Sequence, residues 1–148
     1  MAKINKEKLQ IMAETKAITK ELAQEEIERW LDYKKVGEKK RETFVEAIAT
    51  MTDAVASGNL ILEDDYSFTY HLKFPLESDK VVSVTTLKFK PRLKVNMITP
   101  YLQGVKNSDG DGRIIAYTCA LTTSAKGIIQ SLDTEDHSLA TSIAAFFM

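Results

Sequence analysis

One acidic loop is the nearest approach to a metal motif in the chain. Asn107, Asp109 and Asp111 stand at alternate positions and Gly112 follows them, as in the first half of a calcium-binding loop. Such a loop normally starts with aspartate and closes with a bidentate glutamate at position twelve, where this chain has Thr118. A turn whose aspartates cap the following helix accounts for the same residues. We therefore favour a capping turn and expect no metal and no other cofactor.

Other side chains with ligand or nucleophile chemistry are isolated in the sequence. His71 is predicted on the polar face of a strand and His137 in the first turn of a helix, while Cys119 is the single cysteine. Their spacing matches no zinc pattern, and one cysteine cannot form an internal disulfide. A nucleophile elbow, a Walker loop and a Rossmann glycine pattern are all absent from the sequence. The sequence thus predicts no catalytic residues, and binding rather than catalysis.

Two basic clusters leave nucleic-acid binding open as a weaker alternative. Basic stripes can track phosphates. Glu38 and Glu42 interleave with the first cluster, however, and lysines on an edge strand also prevent strands of different molecules from pairing. The clusters comprise Lys34, Lys35, Lys39, Lys40 and Arg41 at a helical corner, and Lys88, Lys90, Arg92 and Lys94 on and after a strand.

Length and composition predict a small soluble protein. The 148 residues fit one domain, or one domain with an appendage, and 44% of them are hydrophobic, enough for a core. The formal net charge of −1 does not favour a polyanion-binding chain. There is no apolar run of the length that a membrane span needs, and the polar N-terminus does not resemble a secretory signal. We expect a cytosolic protein without a membrane segment.

Residues 1–58 are predicted to be a helical extension. They contain no proline and are rich in Glu, Lys, Ala and Gln, which favour helices. We predict helices over residues 5–36, with a break near Thr19, and over 39–57, each ended by a left-handed glycine, Gly37 or Gly58.

Two apolar stripes run along these predicted helices. One stripe has the i, i+3, i+4 spacing and the other i, i+4, i+7, i+11, the narrow seam by which a helix packs on one other helix. We favour packing of the two stripes within the chain as a helical hairpin, and keep an intermolecular coiled coil as the alternative. The stripes are Ile27, Trp30 and Leu31, and Phe44, Ile48, Met51 and Val55.

From residue 59 the periodicity changes to that of strands. Apolar and polar residues alternate over residues 66–76, and β-branched residues are frequent over 81–90, with a polar tip between them. This pattern predicts an antiparallel hairpin, whose first strand ends or lies at an edge at Pro75. Residues 60–62 are a candidate third strand.

The C-terminal part is predicted to be helical. Helices are expected over residues 93–105, where Pro100 indicates a later start or a kink, around 114–121 and over 125–132. A last helix begins at Asp133 as the N-cap. The predicted fold class is α+β: an N-terminal helical hairpin, a small antiparallel β-sheet and a C-terminal helical cluster. The cluster is expected to pack on the sheet face formed by Phe68, Tyr70 and Leu72, within a domain over residues 59–148.

The order of elements over residues 66–148 resembles the tail assembly chaperones of contractile-tailed bacteriophages. In that family a strand ends in proline and an aliphatic residue, and a second strand reads roughly leucine-x-leucine-arginine-x-proline. Helices follow, ending in a leucine, an acidic residue and a final amphipathic helix. The matching segments here are FTYHLKFPL at 68–76, VTTLKFKP at 84–91, Leu132 with Asp133, Asp136, and IAAFF at 143–147; Lys90 stands where the family has arginine.

The resemblance implies a binding function in the host cell cytoplasm. The protein would escort the apolar, helical tape measure protein before tail tube subunits polymerise around it, and would be absent from the mature virion. The tail tube protein is a second candidate partner, and self-association is left open. A structural tail or baseplate subunit and a nucleic-acid-binding module are the alternatives. The candidate partner-binding residues are Leu139, Ile143, Phe146 and Phe147 of the last helix, with Phe147 favoured, and Phe44, Ile48, Met51 and Val55 of the seam.

Overall fold

The computed structural model describes residues 17–77 and 83–148. The predicted helical residues 5–16, the hairpin tip at 78–80 and the start of the second strand at 81–82 lie outside the described residues. The chain divides into two compact units, of which the first ends at Leu62 and the second runs from Glu63 to Met148. The division falls after the short strand at Leu60–Leu62 rather than before it.

The first unit is a helical hairpin followed by a short strand. Its helices are α1 (Lys20–Tyr33), α2 (Glu38–Thr43) and α3 (Val45–Ala56), and its strand is β1 (Leu60–Leu62). The hydroxyl oxygen of Thr19 accepts a hydrogen bond of 3.2 Å from the backbone N–H of Leu22 and caps α1. The predicted helical hairpin is confirmed, because α1 and α3 pack against each other.

The prediction of one continuous helix over residues 39–57 is wrong. The chain leaves helical geometry at Phe44, where φ is −103° and ψ is 32°, so α2 and α3 are separate helices. The prediction that Gly37 ends α1 in a left-handed conformation is also wrong. Lys35 takes that conformation, with φ at 57°, because the N–H of Val36 reaches back 3.0 Å to the carbonyl of Leu31. Gly58, with φ at 85°, ends α3 as predicted.

Over its described residues, the second unit combines an antiparallel hairpin with four α-helices and one 3₁₀ helix. The strands β2 (Phe68–Leu76) and β3 (Val84–Phe89) pair antiparallel, with Phe68 opposite Phe89 and His71 opposite Thr86. The helices are α4 (Val95–Ile98), α5 (Gly110–Thr122), α6 (Lys126–Gln130) and α7 (Thr134–Ala145).

The prediction of one helix over residues 93–105 is wrong in extent. The chain forms only α4 and a 3₁₀ helix, Thr99–Leu102, in this stretch. Pro100 stands at the start of the 3₁₀ helix, where its missing N–H and its ring interrupt α-helical hydrogen bonding. Gly104 then turns the chain with φ at 78°.

Helices cover one face of the hairpin, as predicted. Phe68, Tyr70 and Leu72 are buried on β2, and Leu87 and Phe89 on β3. Helix α5 packs against β3, α6 and α7, while α7 packs against β2. The fold is therefore α+β. Among the described residues, no helix is both long enough and apolar enough to cross a membrane.

Candidate partner-binding surfaces

A groove lies between α1 and α3 of the first unit. The N–H of Ile18 donates 3.1 Å to the carbonyl of Ala56, which places the start of α1 beside the end of α3, so the helices run antiparallel. The groove has a volume of about 500 Å³. It is lined by Lys20, Gln24, Ile27 and Glu28 of α1 and by Val45, Ile48, Ala49, Thr52 and Asp53 of α3.

The groove has an aliphatic floor and a polar rim. Ile27 is buried beneath it, Ile48 is half-buried, and Val45 is 61% exposed. Exposed apolar side chains that line a concave surface are typical of binding sites for other chains. The groove can therefore accept aliphatic side chains from a partner.

Arg41 holds the corner between α1 and α2, beside one end of this groove. Its guanidinium donates to Glu28 at 2.8 Å and to Asp32 at 2.9 Å. Its Nε donates to the carbonyl of Val36 at 2.9 Å. Arg41, one residue of the predicted basic cluster, is thus engaged within its own unit.

A second, smaller cavity lies on the first unit. Its volume is about 280 Å³, and Leu22, which lines it, is 49% exposed. Except for Glu26, its lining is aliphatic: Ile18, Leu22, Val55, Leu60, Ile61 and Leu62.

Within the second unit, a buried carboxylate links the last helix to strand β2. Asp136, in the first turn of α7, is 0% exposed. It accepts hydrogen bonds from the Tyr70 hydroxyl at 2.6 Å and from the backbone N–H groups of Lys73 and Phe74 at 2.9 and 3.0 Å. Burial and, next, the hydrogen bond to Asp136 raise the pKa of Tyr70 well above its ordinary value. The carboxylate thus fastens the last helix to β2.

These hydrogen bonds coincide with an irregularity in the hairpin. The pairing passes from His71 opposite Thr86 to Leu76 opposite Val84, so four residues of β2 stand against one residue of β3. Two of the four, Lys73 and Phe74, direct their N–H groups to Asp136 instead. At this irregularity Phe74 is 50% exposed. Its aromatic ring is therefore accessible, while its backbone N–H is held by the buried Asp136.

Lys90, the basic residue before Pro91, is half-buried and bonds within its own unit. Its N–H donates to the carbonyl of Leu121 at 3.1 Å and its ammonium group to the carbonyl of Ala120 at 2.7 Å. A cation at the C-terminus of a helix interacts favourably with the helix dipole. Lys90 therefore ties the end of β3 to the end of α5.

The candidate residues of the last helix lie mostly inside the second unit. Leu139, Ile143 and Phe146 are buried, and Phe147 is half-buried. Met148, which the sequence did not single out, is 46% exposed. Asp133 caps the helix by accepting a hydrogen bond of 2.9 Å from the N–H of Glu135, as predicted.

The candidate residues of the seam are divided between core and surface. Met51 and Val55 are buried, whereas Phe44 and Ile48 are half-buried. Ile27, Trp30 and Leu31 of α1 are buried as well, in line with the internal packing that the sequence favoured. The structure brings only Ile48 of the predicted seam into the large groove. The sequence analysis did not single out Val45 and Ala49 as groove residues. Their spacing was a signal, because Val45 lies three residues before Ile48, and Ala49 three before Thr52.

The acidic loop acts as a capping turn. The carboxylate of Asp109 accepts a hydrogen bond of 2.9 Å from the N–H of Gly112, and Asn107 accepts one of 3.3 Å from Arg113. The described part of the chain contains no group of three or more His, Cys, Asp or Glu residues placed to hold a metal ion.

The side chain of Cys119 is buried. It is 2% exposed and lines a small cavity of about 80 Å³ together with Tyr101, Ile115 and Lys126. Burial raises the pKa of its thiol, an effect that nearby Lys126 offsets in part. Because the thiolate is the nucleophilic form, the thiol is poorly suited to react.

The comparisons with known proteins give no match. Neither protein-family models, nor curated proteins, nor solved structures match this chain.

Proposed function

We propose that this chain is a tail assembly chaperone of a contractile-tailed bacteriophage. In this proposal it binds the tape measure protein in the host cytoplasm while the tail is assembled, and it leaves before the particle is complete. The tail tube protein is a further candidate partner. The proposal starts from the resemblance over residues 66–148 and concerns binding, with no catalytic step.

The observation that carries the proposal is the accessible apolar surface. Leu22, Val45 and Phe74 are each about half exposed or more, at 49%, 61% and 50%. A chaperone for an apolar helical chain needs such surface, together with contacts weak enough to reverse. The groove between α1 and α3 adds a concave site with an aliphatic floor and a polar rim, to which an amphipathic helix could bind.

The side chains with reactive chemistry favour binding over catalysis. Asp136 is engaged by three donors from its own unit. Cys119 is buried with a raised pKa. Neither group is presented to a substrate, whereas the exposed aliphatic and aromatic side chains are presented to a partner.

Co-expression with the candidate client tests the proposal. A long helical reading frame directly downstream of this gene would encode the tape measure protein, and we expect its product to co-purify with the tagged chain. Mass spectrometry of finished particles should find the tape measure protein but not this chain. If this chain occurs in mature virions at fixed stoichiometry, it is a structural tail or baseplate subunit instead.

A further inference from the structure

We propose that the smaller cavity of the first unit is the docking site for residues 9–12 of this same chain, which cover Leu22 there until a partner displaces them. These residues precede the described part of the chain. The docking of the segment is independent of the proposed function, whereas its competition with the client for Leu22 rests on that function.

The smaller cavity is aliphatic and accessible from one side. Its one polar lining residue, Glu26, is paired with Arg29 at 2.7 Å. Leu22 is 49% exposed, whereas Val55 and Leu60 are buried, so the cavity has a buried wall and an accessible rim. A cavity of about 150 Å³ can hold one benzene molecule. The volume of about 280 Å³ here therefore has room for roughly two aliphatic side chains.

The described part of the chain begins beside this cavity. Ile18, which lines it, is held in place because its N–H donates 3.1 Å to the carbonyl of Ala56. Residues 9–12 are thus attached to the cavity through the short link 13–17, which spans at most about 20 Å when extended. A link of this length gives the segment an effective concentration in the millimolar range. A free partner must bind far more tightly to compete, so the attached segment is the favoured occupant.

The attached segment carries side chains that suit the cavity. Leu9 and Met12 are apolar and lie three residues apart, so they share one face of the helix that the sequence predicts over residues 5–36. Methionine is unbranched and adapts to irregular apolar surfaces. These two side chains match the two that the volume admits, and their burial would remove Leu22 from solvent.

Disulfide trapping in the full chain tests the docking. In Met12→Cys/Leu22→Cys, mild oxidation should join the two cysteines, since a disulfide needs Cα atoms within about 7 Å. The control is Met12→Cys/Glu46→Cys, because Glu46 is exposed on α3, nine residues before the lining residue Val55. The link 13–17 can reach both positions, so docking should make the first pair form at least about tenfold faster. Mass spectrometry of the digested protein identifies the bonded pair.

Methyl resonances of the full chain locate the contact. Leu9→Asp would place a charge in the aliphatic cavity, so it should release the segment and shift the methyl resonances of Leu22 and Leu60. Ile11→Asp is the matched control. It makes the same kind of substitution two residues on, on another face of the predicted helix, and should leave these resonances in place. Circular dichroism confirms that both variants are folded.

Co-purification with the client tests the consequence of docking. If the segment covers the cavity in half of the molecules, Leu9→Asp should bind the client about twofold more tightly than the wild type. Ile11→Asp should bind it as the wild type does. Equal binding by wild type and Leu9→Asp would show that the segment does not compete with the client for Leu22.

Three results would overturn the docking. The first is equal rates of disulfide formation in the two double variants, and the second is equal methyl shifts in Leu9→Asp and Ile11→Asp. The third is a covalent dimer in place of the intramolecular bond, in which case the segment of a second copy occupies the cavity. If docking fails while the client co-purifies, the proposed function stands. If docking holds but the client co-purifies with neither wild type nor Leu9→Asp, the proposed function fails.

Discussion

The two units are stabilised in different ways. The second unit is cross-linked by buried or half-buried polar side chains. Asp136 of α7 accepts hydrogen bonds from β2, and Lys90, which follows β3, donates to the end of α5. The first unit has an apolar core between α1 and α3, and the charged contacts of Arg41 lie near its surface.

This difference separates residues that specify the fold from residues that can contact a partner. Lys90 and Asp136 belong to the pattern that resembles the phage chaperones, and both are used inside the second unit. Val45 and Ala49 in the groove have aliphatic side chains that form no such polar link, and both are exposed. Residues of a recognisable pattern can therefore be used inside a unit while exposed apolar side chains lie elsewhere in the chain.

The largest effect is expected from Asp136→Asn. The amide retains one acceptor oxygen but places its NH₂ group among three donors, so we expect the free energy of unfolding to fall by about 2–4 kcal/mol. Urea denaturation followed by circular dichroism measures this change. Glu135→Gln is the matched control, because it removes a charge from the same turn of α7 at an exposed position, and it should cost about 0.5 kcal/mol or less.

If Asp136→Asn lowers the free energy of unfolding only slightly, the contrast between the two units does not hold. If both variants unfold at nearly the same urea concentration, the carboxylate does not anchor β2, and the second unit is stabilised by apolar packing like the first. The amide resonances of Lys73 and Phe74 offer a local check, since they should shift in Asp136→Asn and remain in place in Glu135→Gln.

Part of this arrangement could be predicted from the sequence. Strand alternation located Phe68, Tyr70 and Leu72, and cap chemistry located Asp133, because both depend on neighbours in the chain. Asp136 also falls on the buried stripe of Leu139 and Ile143 at i, i+3 and i+7. That position was a signal that its carboxylate would be buried.

The remainder depends on contacts between distant residues. The hairpin irregularity arises where Lys73 and Phe74 bond to Asp136, more than sixty residues away, and no local pattern encodes it. The groove was missed because Val45 begins its helix just after the interruption at Phe44, inside what appeared to be one continuous helix. The exposed surface therefore could not be predicted as well as the core.

The second-largest effect is expected on the stability of the folded protein at alkaline pH. Tyr70 keeps its proton in the folded protein because burial and the hydrogen bond to Asp136 raise its pKa, whereas an unfolded tyrosine ionises near pH ~10. Above that pH the unfolded state binds fewer protons than the folded state, so stability falls as pH rises, by up to about 1.4 kcal/mol per pH unit. Below pH ~10 this contribution is fully present.

Urea denaturation at a series of alkaline pH values measures this slope. Tyr70→Phe should be less stable at neutral pH by about 1 kcal/mol, because Asp136 loses one donor, but its stability should fall less steeply at high pH. Tyr101→Phe leaves Tyr70 in place and should keep the wild-type slope. Equal slopes for wild type and Tyr70→Phe would show that the buried hydroxyl is not linked to folding.

The smallest effect is expected from Arg41 in the first unit. Arg41→Met removes two ion pairs whose acids are 60% and 72% exposed and one hydrogen bond to the carbonyl of Val36. Because solvent screens exposed pairs, we expect the free energy of unfolding to fall by about 1 kcal/mol or less, and by less still in high salt.

Trp30, the single tryptophan, is buried in α1, so its fluorescence follows the unfolding of this unit. Lys39→Met, at an exposed position of α2, is the control. A loss for Arg41→Met as large as that for Asp136→Asn would mean that the first unit also depends on a polar link, and the contrast between the units would not hold.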